Sequence, residues 1–339
     1  MMMKSSFEGD DFFLDRLLVY FREQLPGKII SVKPIRNHVF LIETEDSPII
    51  AKAFSSYREL ALQQFFTSAL KEGGFPYTYR FLHFNESYPS FYGKKYFAFL
   101  EYIEPDENKF SFSNEKDRLE GLDLLYLFHE KTEKIANGNR HLFVKDDLIN
   151  KWRHRAGIFL NYLPVVKFFL QKEIIDELLS WANWSLKGME KVSRHSGESR
   201  TVVLHGDLAP HNFLRGKNGN LFLIDFDLIS IGSPLSDYLQ YANRVLPHLG
   251  WSFSELEKIE KMKLFLEEKF FLYALAYPAD IFREWNRLVR EQQVGSGAKV
   301  RKVLDLTVGQ FLERGKFFRQ LKILVRERLP GKRGIFERK

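Results

Sequence analysis

The sequence predicts an α+β fold of two lobes, a small antiparallel β-sheet lobe with one helix and a large, mostly helical lobe. Three observations support this prediction. At 339 residues the chain is long enough for two domains or lobes. Short β-like runs are concentrated before residue 104, whereas segments of helical periodicity dominate after it. Residues 104–115 are polar, as expected of a connector, so we place the lobes at residues 1–103 and 104–339.

The small lobe is predicted from short apolar runs and from the turns between them. An amphipathic helix comes first and ends at Leu25-Pro26-Gly27, and a second helix ends at Gly73-Gly74. Turn residues such as Gly93-Lys94 separate the β-like runs. The predicted elements are helix 12–24, strands 29–33, 39–43 and 49–54, helix 56–71, and strands 90–92 and 96–103.

The large lobe is predicted to be helical apart from one short β element. Two short strands, 201–204 and 221–224, flank a polar loop inside this lobe. A further helix is expected to start within residues 232–237. The other predicted helices are 119–132, 147–163, 172–192, 255–277, 281–292 and 300–328.

Composition excludes several classes of protein. The chain has no cysteine, which excludes disulfide frameworks, thiol catalysis and cysteine-based metal sites. No apolar run reaches the roughly 18 residues that a membrane span requires. Residues 1–11 lack the apolar core of a signal peptide. We therefore expect a cytoplasmic protein with no membrane span.

The net charge of +7 is concentrated near the C-terminus. Residues 311–339 contain ten lysines or arginines and three glutamates, a surplus of seven positive charges. Such a segment can bind nucleic acid, an anionic membrane or an acidic partner. Its apolar residues recur at helical spacing, however, which favours a packed helix with a solvated basic face. We expect no specific nucleic-acid partner.

The motif with the clearest chemistry is His205-Gly206-Asp207, followed five residues after the aspartate by Asn212 and then by Ile224-Asp225-Phe226-Asp227. Phosphoryl-transfer enzymes of the kinase type use this spacing to hold a hydroxyl and Mg²⁺-bound phosphates together. Asp207 is the candidate base that accepts the proton of the hydroxyl. Asn212 and Asp225 provide the oxygen ligands that Mg²⁺ prefers. The motif therefore predicts ATP and Mg²⁺ as cofactors.

Lys52 lies inside the apolar run Ile49–Phe54, where a buried ammonium needs an anionic partner. We expect it to contact the α- and β-phosphates of ATP, with Glu59 on the next helix holding it in place. The alternative is that Lys52 lies on an edge strand and points to water. If Lys52 contacts the phosphates of ATP, residues 1–103 form a nucleotide-binding lobe. Residues 104–339 then form a catalytic and acceptor-binding lobe.

Five further positions are assigned from their places in the pattern. Adenine is expected to pair with backbone groups near Glu101 and Ile103, where the last strand of the small lobe leads into the connector. His205 is expected to fix the loop rather than to exchange protons. Asp227 could add a metal ligand or cap the next turn. Asp237 could accept hydrogen bonds from the backbone of the catalytic loop or cap a helix.

These motifs resemble those of the aminoglycoside phosphotransferase and choline kinase superfamily, whose fold is protein-kinase-like. Its strand lysine, helix glutamate, Leu-His element and structural aspartate correspond to Lys52, Glu59, Leu127-Phe128-His129 and Asp237. Residues 277–286 resemble one branch in particular, the CotS-type spore coat-associated proteins of endospore-forming bacteria. The resemblance implies a bilobal fold, ATP with Mg²⁺, and transfer of a phosphate to a hydroxyl of a small-molecule substrate.

The chain departs from the superfamily in the loop expected to cover the phosphates. Residues 34–39 contain no glycine that would allow a close backbone approach to phosphate oxygens. The side chains of Arg36, Asn37 or His38 could contact phosphate instead, or the loop could have lost this role. Two hypotheses follow. The first is an ATP- and Mg²⁺-dependent phosphotransferase, and the second is a kinase-like protein with weak or no catalysis that assembles with spore coat proteins.

Overall fold

A computed structural model describes residues 11–84, 90–194 and 200–327. The strands are β1 Ile29–Arg36, β2 Val39–Thr44, β3 Ile49–Phe54, β4 Phe81–Leu82, β5 Ser90–Tyr92, β6 Lys95–Glu101, β7 Val202–Leu204, β8 Phe213–Arg215, β9 Leu221–Leu223 and β10 Ser230–Gly232. The helices are α1 Asp11–Gln24, α2 Tyr57–Glu72, α3 Glu115–Gly138, α4 Leu148–Val166, α5 Lys172–Ser193, α6 Leu235–Val245, α7 Phe253–Glu257, α8 Glu260–Glu267, α9 Lys269–Leu275, α10 Ala279–Arg290, α11 Gly297–Thr307 and α12 Phe311–Glu327. In the described part of the chain, no helix combines the length and the apolar character needed to cross a bilayer.

The chain divides into two compact units. The first unit comprises residues 1–110, 124–142 and 211–228, and the second comprises residues 111–123, 143–210 and 229–339. A small antiparallel sheet with α1 and α2 packed against it lies in the first unit, and most helices lie in the second, which confirms the predicted α+β class. The functional division at residues 103 and 104 stays a prediction, since the first unit also takes in two later segments of the chain.

The first unit is built on a six-stranded sheet in which every neighbouring pair is antiparallel. Its order is β1-β2-β3-β6-β4, and β5 also pairs with β6. Side chains of β3 alternate between the two faces, so Ala51 and Ala53 join a core rich in phenylalanine while Lys52 shares the opposite face with Ala98. Because β3 has a partner strand on each side, the alternative of a water-exposed Lys52 on an edge strand is wrong.

The sheet has one strand more than the five we predict. The additional strand β4 contains two residues, which are too few to produce a periodic pattern. Its pairing with β6 comes from tertiary contacts that the local sequence does not contain.

Two predicted helices are interrupted in the structure. The segment 255–277 forms α7, α8 and α9, because Ile259 and Glu268 adopt extended backbone conformations. Apolar residues keep helical spacing through both positions, so periodicity does not reveal the breaks. The segment 300–328 forms α11 and α12, with Gly309 between them. A Cβ at Gly309 would lie 2.6 Å from the carbonyl oxygen of Asp305, a close approach that only glycine permits.

Close packing of α5 against α9 in the second unit also depends on a glycine. Gly188 lies against the ring of Tyr273, and a Cβ at this position would come within 2.0 Å of the ring. The ring is held in turn by Trp184, whose centroid lies 4.6 Å away. The two helices can therefore approach this closely only while residue 188 has no side chain.

Gly188→Ala is expected to lower the free energy of unfolding by about 1–3 kcal/mol, the usual cost of overpacking a core. Urea and thermal unfolding followed by circular dichroism measure this change. The matched control is Gly157→Ala on α4, where a Cβ would meet no atom within 4 Å. This control is expected to be neutral or to stabilise the protein by up to about 1 kcal/mol, because alanine favours helices. Equal stabilities of the two variants would contradict this packing account.

Candidate active site

Lys52 lies at the centre of a buried polar network in the first unit. Its Nζ donates to Oδ1 of Asp227 at 2.6 Å and to Oδ1 of Asp225 at 3.0 Å. A third contact, to Oε1 of Gln63, measures 3.4 Å. Lys52 is 7% exposed, so these three acceptor oxygens replace the water that the ammonium loses on burial.

The network keeps its charges at neutral pH. Burial by itself lowers the pKa of Lys52, but the acidic groups around it, Tyr79, Asp225 and Asp227, outweigh this effect, so the pKa lies above the usual lysine value. Burial raises the pKa of Asp225, but the ammonium of Lys52 lowers it by more, so the carboxyl group titrates below its usual range. Each group therefore stabilises the ionised form of the other.

The predicted ion pair between Lys52 and Glu59 is wrong. Glu59 is exposed, and its carboxylate accepts a hydrogen bond from the backbone N–H of Ser55 at 3.2 Å. Ser56 caps α2 by accepting from the N–H of Glu59, so Ser56 and Glu59 have the spacing of a capping box. Gln63, one helical turn later, lies where we expect Glu59 to lie. It contacts Lys52, and its Nε2 donates to Asp227 at 2.7 Å. The capping signature could have identified Glu59 as a helix-end residue.

Asp225 is positioned by the hairpin of β8 and β9 and by an uncommon backbone conformation. The N–H of Ile224 donates to the carbonyl of Asn212 at 3.0 Å, which extends the hairpin pairing and brings Asn212 beside the chain that carries Asp225. Asp225 itself has φ 72°, in the left-handed region that residues other than glycine rarely adopt. Phe226 anchors the next position, because its buried ring packs edge-on against Phe66 at 5.1 Å.

Asn212 and Asp225 together suit a magnesium ion shared with phosphates. Asn212 is fully buried in the first unit, and its amide and the Asp225 carboxylate offer hard oxygen ligands. No group of three or more His, Cys, Asp or Glu side chains within the described residues could hold a metal ion. Mg²⁺ commonly takes one or two protein carboxylates and completes its coordination with phosphate oxygens and water, so this donor set fits such an ion. Asp227, for which the sequence allows two roles, accepts hydrogen bonds from Lys52 and Gln63.

The segment expected to cover the phosphates is shorter than the sequence suggests. Strand β1 continues to Arg36 and β2 begins at Val39, so only Asn37 and His38 form the turn. The guanidinium of Arg36 lies 3.5 Å from Oδ2 of Asp225 and donates to the carbonyl of His211 at 3.3 Å. Arg36 therefore adds a second cation beside Asp225, a position that supports phosphate contact through this side chain.

The predicted adenine contacts meet at one cavity of the first unit. Glu101 and Ile103 line a cavity of about 500 Å³ together with Phe222. The N–H of Glu101 already donates to the carbonyl of Arg80 at 2.9 Å. Within the described residues the backbone of Ile103 has no hydrogen bond to the protein, which leaves this position for a ligand.

Asp207 lies in the second unit, on a loop organised by a buried carboxylate. Oδ2 of Asp237 accepts from the N–H of His205 at 2.8 Å, and Oδ1 accepts from the N–H of Gly206 at 3.1 Å. Gln240 donates to the carbonyl of Gly206 at 2.9 Å. Asp237 thus holds the backbone of the loop that carries Asp207, the first of its two predicted roles, and Nδ1 of buried His205 accepts from the N–H of Asp207 at 3.3 Å.

The structure thus brings Lys52, Asn212 and Asp225 together in the first unit and gives Asp207 a defined loop in the second. The carboxylate of Asp207 is partly exposed and lies 3.8 Å from the guanidinium of Arg244. The sequence motif does not reveal this arginine, because it lies on α6, far along the chain from the loop.

Solved structures share this fold. An aminoglycoside phosphotransferase from Alicyclobacillus acidocaldarius aligns with a TM-score of 0.67 and 16% identity, over 90% of this chain and 95% of that chain. The choline kinase LicA from Streptococcus pneumoniae aligns with a TM-score of 0.54 and 13% identity, over 92% and 99%. Spectinomycin phosphotransferase APH(9)-Ia, in complex with ADP and spectinomycin, aligns with a TM-score of 0.53 and 13% identity, over 92% and 97%. At these identities the likeness establishes the fold alone.

Comparison of the sequence with family models identifies the family of this chain. No curated protein matches the chain significantly. The model of the phosphotransferase enzyme family matches residues 33–253, more than half of the chain, and this range includes Lys52, Asp207, Asn212 and Asp225. The chain therefore belongs to the phosphotransferase enzyme family.

Proposed function

We propose that the protein transfers the γ-phosphate of ATP to a hydroxyl of a small-molecule acceptor, with Mg²⁺ as cofactor. The observation that carries this proposal is the buried Lys52–Asp225 pair beside Asn212, since a lysine, a carboxylate and an amide in this relation suit phosphates and their metal. Family membership supports phosphate transfer to a small molecule.

The residues of the first unit would bind the nucleotide. Lys52 and Arg36 place two cations beside Asp225, where they would bind phosphate oxygens. Asn212 and Asp225 would hold Mg²⁺, which, when bound, neutralises charge on the phosphates. The backbone N–H of Ile103 is the better of the two predicted partners for adenine, because that of Glu101 is already hydrogen-bonded to Arg80.

Asp207 would act as the base. The acceptor oxygen attacks the γ-phosphorus, the bond from that phosphorus to the β-phosphate oxygen breaks, and Asp207 takes the hydroxyl proton. The products are a phosphate ester and ADP. A loose transition state demands little basicity, so the orientation of Asp207 matters more than its pKa. Hydrogen bonds from the loop backbone to Asp237 supply this orientation.

The second hypothesis is a kinase-like protein with weak or no catalysis that serves as a component of the bacterial spore coat. The two-residue turn of Asn37 and His38 favours it, since this turn offers little backbone for phosphate. The CotS-type likeness of residues 277–286 points the same way. The presence of Lys52, Asp207, Asn212 and Asp225 together favours the enzyme.

The first test removes the proposed base. Asp207→Asn is expected to reduce turnover by about 10²- to 10⁴-fold, because an amide cannot accept the proton. ADP formation from ATP and Mg²⁺, with a protein-free metabolite extract as the source of acceptors, measures the rate. Asp176→Asn, an exposed aspartate on α5 paired with Lys172, is the control and should keep the wild-type rate. Full activity of Asp207→Asn would reject the assignment of the base.

The second test concerns the nucleotide site. ADP with Mg²⁺ at 100 times its dissociation constant is expected to stabilise the wild-type protein by about 2.7 kcal/mol. Asp225→Asn should lose this ligand-induced rise in Tm, whereas Asp207→Asn and the exposed loop variant Asp46→Asn should keep it. Each variant is compared with its own ligand-free Tm, since Asp225→Asn also weakens the Lys52 network. If the wild type shows no rise with millimolar nucleotide, the structural hypothesis takes precedence.

A further inference from the structure

Three arginines of the second unit form a basic cluster, and one of them, Arg244, lies next to the proposed base. Arg155 lies on α4, Arg244 on α6 and Arg283 on α10. The guanidinium of Arg244 lies 3.8 Å from the carboxylate of Asp207. Arg283 is close enough to both other arginines for its positive charge to act on them. The cluster therefore gives the surroundings of Asp207 a local excess of positive charge.

Nearby carboxylates offset only part of this excess, because the acids that act on Arg155 and Arg244 also pair with other arginines. The carboxylate of Asp280 accepts two hydrogen bonds from Arg314, at 3.0 and 2.5 Å. The carboxylate of Glu284 lies 3.0 Å from Nε of Arg283 and 2.5 Å from the guanidinium of Arg287. Two acids are thus shared by Arg283, Arg287 and Arg314, and neither is hydrogen-bonded to Arg155 or Arg244 within the described residues.

Arg155 and Arg244 make few polar contacts for partly buried cations. Arg155 donates to a neutral acceptor, the carbonyl of Ala279, at 3.1 Å. The contact between Arg244 and Asp207, at 3.8 Å, is longer than a hydrogen bond. Burial lowers the pKa of both guanidinium groups, and the positive charge of Arg283 lowers each of them further. An anion bound here would offset the cost of holding like charges together away from water.

A rigid scaffold holds the cluster. The ring of Tyr277 stacks on Trp152 at 4.3 Å, and the hydroxyl of Tyr277 donates to the carbonyl of Trp152 at 2.6 Å. The side-chain amide of Asn286 donates to the carbonyl of Arg155 at 2.9 Å. These contacts give the sequence motif of residues 277–286 a physical role, since they fix the turn of α4 that carries Arg155 against α10. A site held this way is preorganised for a ligand.

We infer that the acceptor is a hydroxylated compound with an oxyanion group, a carboxylate or a phosphate, which Arg155 and Arg244 bind beside Asp207. This inference rests on the proposed function and adds the charge of the substrate. Guanidinium groups suit carboxylate and phosphate oxygens because their N–H groups can form paired, charge-assisted hydrogen bonds. A cationic acceptor such as choline would meet repulsion at the same place.

Inorganic phosphate is the first probe, added at constant ionic strength to protein saturated with ADP and Mg²⁺. We expect a concentration-dependent rise in Tm for the wild type, and a dissociation constant at least about tenfold weaker in Arg155→Gln and in Arg244→Gln. Arg153→Gln is the matched control for Arg155→Gln, because Arg153 lies on the same helix but is exposed and pairs with Glu190 of α5. It should bind phosphate like the wild type. Far-ultraviolet circular dichroism checks that each variant is folded.

Glycerol, glycerate and glycerol 3-phosphate form the second series, in which only the anionic group changes. A rise in Tm with glycerate or glycerol 3-phosphate, but not with glycerol, supports the inference and distinguishes a carboxylate from a phosphate ligand. No response to phosphate in the wild type, equal responses in all four proteins, or a stronger response to choline would overturn it. If ADP and Mg²⁺ stabilise the protein while every anion fails, only this inference falls. If phosphate binds as expected in protein that shows no response to ADP, the proposed function falls and the oxyanion site stands.

Discussion

A single buried ammonium fixes the geometry of the first unit. Lys52 lies in the central strand β3, where it is shielded from water and needs anions close by. Asp225, Asp227 and Gln63 meet this requirement, and in doing so they tie together the sheet, helix α2 and the loop after β9. Removing one charge from such a group leaves its partner unpaired, which is why buried ion pairs are costly to break.

In the second unit, backbone N–H groups rather than a charged side chain satisfy a buried carboxylate. Asp237 is fully buried, and two consecutive N–H groups of the loop before Asp207, those of His205 and Gly206, donate to its two carboxylate oxygens. The next residue is Asp207, so a buried charge on α6 determines where the proposed base points. In both units, residues with no proposed chemical role position the residues that would bind the nucleotide or take the proton.

The candidate reactive residues are easier to recognise in the sequence than the residues that position them. Asp207, Asn212 and Asp225 lie close along the chain, so their spacing could be recognised, and Lys52 is conspicuous in an apolar strand. Its partner was predicted incorrectly because Glu59 and Gln63 lie one turn apart on α2, and the capping role of Glu59 depends on local hydrogen bonds. The arginine cluster could not be predicted, since α4, α6 and α10 bring it together from distant segments. The two-residue strand β4 and the breaks around α8 likewise arise from packing rather than from periodicity.

The central claim is that the protein moves a phosphoryl group from ATP to an alcohol, and phosphorus-31 NMR tests it most directly. The protein is incubated with ATP, Mg²⁺ and a protein-free bacterial metabolite extract, and the spectra are followed over time. Our account predicts a new phosphomonoester resonance that grows with the signals of ADP and requires Mg²⁺. If ATP persists unchanged with Mg²⁺ and the extract present, or if inorganic phosphate is the sole new product, the account is contradicted.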